Sequence, residues 1–142
     1  LKFLLSSPFL IINSDTYIEK TEVKKFIQIA KTDREFLICL AVEKRESVKG
    51  KSLVVLNEEG VITDFIEKPD SDQAVYAYAG IMLMDSSVID SYEIEELIKK
   101  ELTKDILPDF KNRMIGLEIK EAIDIGDSLD IYKMAYNNFK KK

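Results

Sequence analysis

The sequence contains no histidine. That removes histidine-based catalytic triads, histidine metal sites and imidazole pH switching from consideration. It has a single cysteine, Cys39, so neither an internal disulfide nor a cysteine-rich zinc site can form. Such sparse cysteine usage suits a reducing, cytoplasmic setting. Apolar runs stop after a few residues, far short of the roughly 20 needed to cross a bilayer. No charged-then-apolar leader with a small-residue cleavage site opens the chain. The first residue is Leu1 rather than Met, which reads as a piece of a longer protein. Glycine is scarce, and the five residues Gly50, Gly60, Gly80, Gly116 and Gly126 are scattered.

What is present is enough for one domain. The 142 residues are 46% hydrophobic and 33% charged, with a net charge of −5. This length matches one ordinary domain with a substantial core. A pI near 4.9 argues against a non-specific nucleic-acid binder. Small phosphorylated ligands stay open, since a few local cations and a metal can hold them.

Hydrophobic periodicity then divides the chain. Leu1–Ser7 reads as the end of a helix halted before Pro8. Phe9-Leu10-Ile11-Ile12 and Phe36 to Val42 are continuous apolar runs of the kind that strands buried on both faces show. Between them Val23, Phe26, Ile27 and Ala30 mark the apolar stripe of an amphipathic helix. Glu43 to Lys51 is dense in charge and reads as a solvated loop. Leu53–Leu56, a turn at Glu58-Glu59-Gly60, and Val61 to Glu67 predict a hairpin stopped by Pro69. Val75 to Met84 is a long strand containing Gly80. Ile94, Leu97, Ile98 and Leu102 predict a second helix, broken by Pro108, with Glu95–Lys99 and Glu96–Lys100 pairs on its wet face. Met114 to Ile119 predicts a strand. A last helix starts at Asp127 or Ser128, buries Tyr132, Ala135, Tyr136 and Phe139, and ends in a solvated Lys140-Lys141-Lys142 tail. Alternating strands and helices give an α/β domain with a mostly parallel sheet and an inserted hairpin.

Ligands of open α/β sheets collect at the carboxyl ends of strands. Asp15 stands there, in Asn13-Ser14-Asp15-Thr16, and Asp124 stands before the last helix in Ala122-Ile123-Asp124-Ile125-Gly126. One or two carboxylates, with phosphates and water, suffice for Mg2+. Asp15 can equally form an Asx turn, and Asp124 can cap a helix or pair with a cation. In Glu67-Lys68-Pro69 the Glu suits sugar hydroxyls and the Lys a phosphate; a charged strand exit is the plainer reading. Tyr76 and Tyr78 place aromatics on one strand face, and packing explains them. Gly80 suits close packing or the floor of a ligand site. Cys39, in an apolar strand, reads as an inert core thiol.

Taken in order, Asn13-Ser14-Asp15-Thr16, Phe65-Ile66-Glu67-Lys68-Pro69, Ala79-Gly80-Ile81 and Asp124-Ile125-Gly126 resemble the sugar-1-phosphate nucleotidyltransferases, or NDP-sugar pyrophosphorylases. The nearest branches are the mannose- and heptose-1-phosphate guanylyltransferases and the glucose-1-phosphate thymidylyltransferases. The resemblance implies a Rossmann-like nucleotide-diphospho-sugar transferase fold with a mostly parallel mixed sheet. It implies transfer of a nucleotidyl group from a nucleoside triphosphate to a sugar 1-phosphate, releasing pyrophosphate. Asp15 and Asp124 would be Mg2+ ligands, Glu67 would bind sugar hydroxyls, Lys68 would hold the attacking phosphate, and Gly80 would lie beneath the sugar. Positioning and charge neutralisation carry such chemistry without histidine.

The sequence also departs from that family. Ser14 replaces a usual Gly, Ser52 falls near the hairpin Gly that approaches the sugar, Tyr78 replaces an Asn, and Asp127-Ser128 replaces Thr-Pro. The Gly-rich triphosphate loop, Gly-x-Gly-x-Arg with its Pro-Lys, has no counterpart in residues 1–142. The expectation is a single nucleotidyltransferase-like domain over 1–142 without its N-terminal strands, inactive or nearly so alone. An unpaired sheet edge, inviting self-association, follows from that. The altered Ser52 and Tyr78 leave open a non-catalytic, sugar-phosphate-binding or regulatory relative. A nucleotide-sugar glycosyltransferase is the third reading; it wants an Asp-x-Asp motif, and Asn13 and Tyr17 flank Asp15 instead.

Overall fold

The computed structural model describes residues 7–32, 35–46, 50–69, 75–120, 122–125, 133, 136, 137 and 140. Its strands are β1 (Phe9–Ile12), β2 (Thr16–Ile18), β3 (Ile38–Arg45), β4 (Leu53–Leu56), β5 (Ile62–Ile66), β6 (Val75–Met84), β7 (Met114–Glu118) and β8 (Ala122–Asp124). Its helices are α1 (Lys20–Thr32), α2 (Ser86–Asp90) and α3 (Ile94–Leu97), followed by a π turn at Leu102–Ile106 and a 3-10 turn at Leu107–Phe110. Among the described residues no helix is long and apolar enough to cross a membrane.

The main sheet runs β5-β4-β6-β3-β7, and β1 shares one side of the long β6 with β4. Leu53 of β4 opposes Ala77, whereas Phe9 to Ile12 of β1 oppose Met84 to Ile81. The mixed α/β architecture is the expected one, and β1, β3, β4 and β7 point the same way. Because β6 runs against them and sits in their midst, only the β3–β7 ladder is parallel. The expectation of a mostly parallel sheet therefore holds for strand direction and not for pairing. Among the described residues β1 is paired on one side only.

Both faces of the sheet are covered, which is why β3 and β6 read as continuous apolar runs. Alternate residues Ile38, Leu40 and Val42 pack with Met82, Met84, Leu107, Phe110 and Met114 on one face. Cys39, Ala41, Ala79, Ile81 and Leu83 meet Phe26 and Ala30 of α1 on the other. Phe26 and Ala30 are the fully buried part of the predicted stripe, with Val23 and Ile27 packed against them. Burying a side chain such as Phe26 contributes about 2–3 kcal/mol, and this holds α1 to the sheet. Cys39 is buried, as expected of a core thiol.

Four expectations are corrected. Phe9–Ile12 is a strand but is not buried on both faces, since Leu10 and Ile12 are 37% and 49% exposed. Glu43, Lys44 and Arg45 are not a solvated loop: they extend β3, opposing Ala77, Tyr76 and Val75. Glu43 is buried, because Arg45 and a backbone N–H satisfy its carboxylate. The second predicted helix shrinks to the single turn α3, leaving Ile94 and Ile98 56% and 76% exposed. The core contact passes instead to Leu102, Ile106 and Leu107, carried by tighter and wider turns around Pro108, which has no N–H for a regular helix. The Glu96–Lys100 pair does form, at 3.5 Å. Tyr136, expected on a buried face, is 48% exposed beneath Lys140, whose Nζ lies 4.7 Å from its ring centre. The start of that helix and Tyr132, Ala135 and Phe139 lie outside the described residues, as do Leu1 to Ser6 of the predicted first helix.

Candidate functional site

A polar cavity of about 380 Å³ opens where several strands end. The turn after β1 contributes Asn13, Asp15 and Thr16. The two ends of the β4–β5 hairpin contribute Ser52, Glu67 and Lys68, with Gly50 and Lys51 before them. β6 supplies Tyr78, Ala79 and Gly80. Glu43 of β3, Ala122 of β8 and Thr103 of the π turn complete the wall. Segments more than 60 positions apart in sequence thus face one space, at the place where open α/β sheets carry their ligands.

The two candidate metal ligands are neighbours in backbone register. Asp124 opposes Thr16 in the antiparallel β2–β8 pair, and the carbonyl of Asp15 accepts the N–H of Ile125 at 2.7 Å. The Asp15 side chain is exposed on the cavity wall. The turn holding it is closed by Thr16 N–H to Asn13 O at 3.3 Å, and Asn13 N–H binds Gly80 O at 2.8 Å. Among the described residues no group of three or more acidic or cysteine side chains forms a ready cation cage. The Asp15-bearing turn and the end of β8 thus run side by side in backbone terms.

Glu67 follows β5 directly, and its Oε2 accepts a hydrogen bond from Ser52 Oγ at 2.6 Å. Lys68 follows with φ of +41°, a left-handed conformation that turns the chain out of the strand and places an exposed ammonium at the cavity. Such a conformation costs a non-glycine residue about 1 kcal/mol or more and recurs at binding sites. Gly80 has φ of +80°, and a Cβ there would stand 2.5 Å from Thr16 Oγ1. Glycine at this position therefore lets the Asp15-bearing turn lie directly on β6. It serves packing and lines the cavity at once.

Tyr78 points its ring into the core, edge-on to Phe65 with centres 6.2 Å apart. Its hydroxyl has no hydrogen-bond partner among the described residues, and burial pushes the phenol above its ordinary range. Tyr76, two residues earlier, reaches Glu118 Oε2 at 3.4 Å. Glu43 was hidden in the sequence among charges. Its parity with Cys39 and Ala41 is the signal that places it on the same buried face. Thr103 carries no sequence signal, because the π turn that presents it is a tertiary adjustment.

Comparison with known proteins follows the same outline. The family model described as nucleotidyl transferase matches residues 2–140. No curated protein matches the sequence. The fold is similar to that of HddC from Yersinia pseudotuberculosis, with a TM-score of 0.74, 22% identity, and 97% of this chain covered against 58% of that one. It is also similar to a glucose-1-phosphate thymidylyltransferase from Bacillus anthracis, described as putative and solved in complex with a sucrose. That match has a TM-score of 0.72 at 18% identity, covering 99% of this chain and 57% of that one. An apo UDP-glucose pyrophosphorylase aligns with a TM-score of 0.65 at 20% identity, over 94% of this chain and 54% of that one. The chain thus spans somewhat more than half the length of the solved structures it resembles.

Proposed function

Because the chain belongs to the nucleotidyl transferase family, we propose that it is part of an enzyme joining a sugar 1-phosphate to a nucleoside triphosphate. The products are pyrophosphate and an NDP-sugar. One observation carries the reading: Asp15, Glu67, Lys68 and Gly80, from three distant segments, line one cavity, and Asp124 is paired beside it. On this reading the chain is a single domain that lacks the strands and Gly-rich triphosphate loop of its relatives, and it turns over only in a longer form. A single buried cysteine suits the cytoplasm. We place any self-association at the β1 edge.

In this mechanism Lys68 holds the sugar phosphate as a mobile point charge. Glu67 orients the sugar through its hydroxyls. A phosphate oxygen of the sugar 1-phosphate attacks the α-phosphorus in line, the new O–P bond forms, and the bond to the β-phosphate oxygen breaks. Asp15 and Asp124 would hold a Mg2+, which when bound neutralises phosphate charge. No proton has to be relayed by a side chain, in keeping with a site that has no histidine.

The test is pyrophosphate release by the longer protein with its Gly-rich loop in place. Lys68→Ala and Asp15→Asn should each lower turnover at least about a hundredfold, the scale of losing one positioned charge at the reacting phosphates. Near-normal turnover in both variants would overturn the assignment. Ser52 and Tyr78, which line the cavity and depart from the family pattern, motivate a second reading, a relative that binds a sugar phosphate without turning it over. Tight sugar-phosphate binding with no pyrophosphate release from the longer protein would select it.

A further inference from the structure

We propose that Lys51 is a second cation for the sugar phosphate, acting with Lys68 on the same anionic group; the proposal rests on the sugar-phosphate reading above. Both lysines line the one polar cavity. They come to it from opposite sides of the β4–β5 hairpin, at its open end. Leu53 opposes Ile66, and the next pair outward, Ser52 and Glu67, is joined by the 2.6 Å hydrogen bond. One further step brings Lys51 level with Lys68. The chain bends on both sides there, with φ of +75° at Gly50 and +41° at Lys68. The two lysines therefore border the cavity instead of continuing the ladder.

Charge accounting shows why one lysine is not enough. A phosphate monoester carries close to two negative charges at neutral pH. Glu67 stands beside Lys68 on the hairpin, so without Lys51 this wall has no net charge to offer a dianion. With Lys51, two ammonium groups face one carboxylate and the wall becomes net positive. The other carboxylate nearby, Glu43, is matched within the fold by Arg45 Nε at 2.6 Å and the Ala122 N–H at 3.0 Å. Lys51 is half-buried where Lys68 is exposed, so water and salt screen its charge less. A lysine ammonium is a mobile point charge on a four-carbon stem, and two of them can close on one phosphate from opposite sides.

The test is calorimetric titration of the native chain, Lys51→Gln, Lys51→Arg and Lys68→Gln with inorganic phosphate and with α-D-glucose 1-phosphate. Lys51→Gln should weaken both ligands roughly tenfold, the worth of one hydrogen bond to a charged group. That loss should shrink as ionic strength rises, because its origin is electrostatic. Lys51→Arg keeps the charge and should bind within about threefold of the native protein, less than such a bond is worth. Native-like affinity in Lys51→Gln beside a loss in Lys68→Gln would overturn the role of Lys51 and leave the sugar-phosphate reading standing. A loss that Lys51→Arg shares and that salt does not change would mean Lys51 only shapes its loop, which overturns the proposal equally. Absence of binding to both ligands in all four proteins would overturn both the proposal and the reading beneath it.

Discussion

Glu43 accepts the backbone N–H of Ala122 at 3.0 Å, across 79 positions of sequence. Arg45 completes the link, donating from Nε to Glu43 Oε1 at 2.6 Å and from Nη2 to Ala122 O at 3.2 Å. Two side chains of β3 thus satisfy both backbone groups of the first residue of β8, the strand that carries Asp124. Glu43→Ala should cost about 2 kcal/mol, since it leaves the buried Ala122 N–H and Arg45 Nε without the carboxylate they share. Denaturant unfolding measures the loss, and amide exchange at Ala122 should speed up. Unchanged stability would show that water replaces the carboxylate freely.

Gly80→Ala should be destabilising by about 1–3 kcal/mol, because a left-handed φ and a contact of 2.5 Å with Thr16 Oγ1 act together. Adding Thr16→Ala removes the hydroxyl and should restore part of that loss. A double-mutant cycle by chemical denaturation gives the coupling; strict additivity would mean the contact is relieved elsewhere.

Asp15→Asn and Asp124→Asn should each weaken Mn2+ binding by roughly tenfold or more, as expected when a hard cation loses one of few carboxylates. Asp15 is exposed, so its variant should melt within about 1 °C of the native protein. Calorimetry with Mn2+ and thermal unfolding in a chelator are the two measurements. Equal Mn2+ affinity in all three proteins removes the cation from this site.

Tyr92 gives the fold an alkaline limit. Burial, then the hydrogen bond to Asp109 Oδ2 at 2.8 Å, push its phenol up to about 12 from an ordinary 10. The folded state then holds a proton that the unfolded state releases. Stability from this group is complete below pH 10 and declines as pH rises toward about 12. Tyr92→Phe should flatten that decline in unfolding experiments, and a curve of unchanged slope would exclude Tyr92 as its source.

Asp85 accepts hydrogen bonds from Ser7 Oγ at 2.6 Å and from the Ser87 N–H at 2.9 Å, which caps α2 and holds its carboxyl below the usual range. Its contribution is present above an ordinary carboxylate pKa and is lost as pH falls through the lowered one. Asp85→Ala should cost about 1 kcal/mol at neutral pH and less in acid, read from urea midpoints. Equal cost at both pH values would mean that the cap acts without its charge.

The sequence by itself determined the doubly buried strand β3, the hairpin and the stripe of α1, because period and turn chemistry are local properties of Ile38–Val42, Leu53–Ile66 and Val23–Ala30; it found the strand Phe9–Ile12 but not the exposure of Leu10 and Ile12. It also nominated Asp15, Glu67, Lys68, Gly80 and Asp124 through motif order. Whether those residues meet was beyond it, since spacing along a chain does not specify which strand ends share a cavity. Only the antiparallel insertion of β6 between β1 and β3 brought Gly80 under Thr16, and only strand register set Ser52 against Glu67. The same holds for Glu43, whose charge predicts solvent in isolation and is tolerated inside because Arg45 and Ala122, fixed by distant pairing, supply its hydrogen bonds.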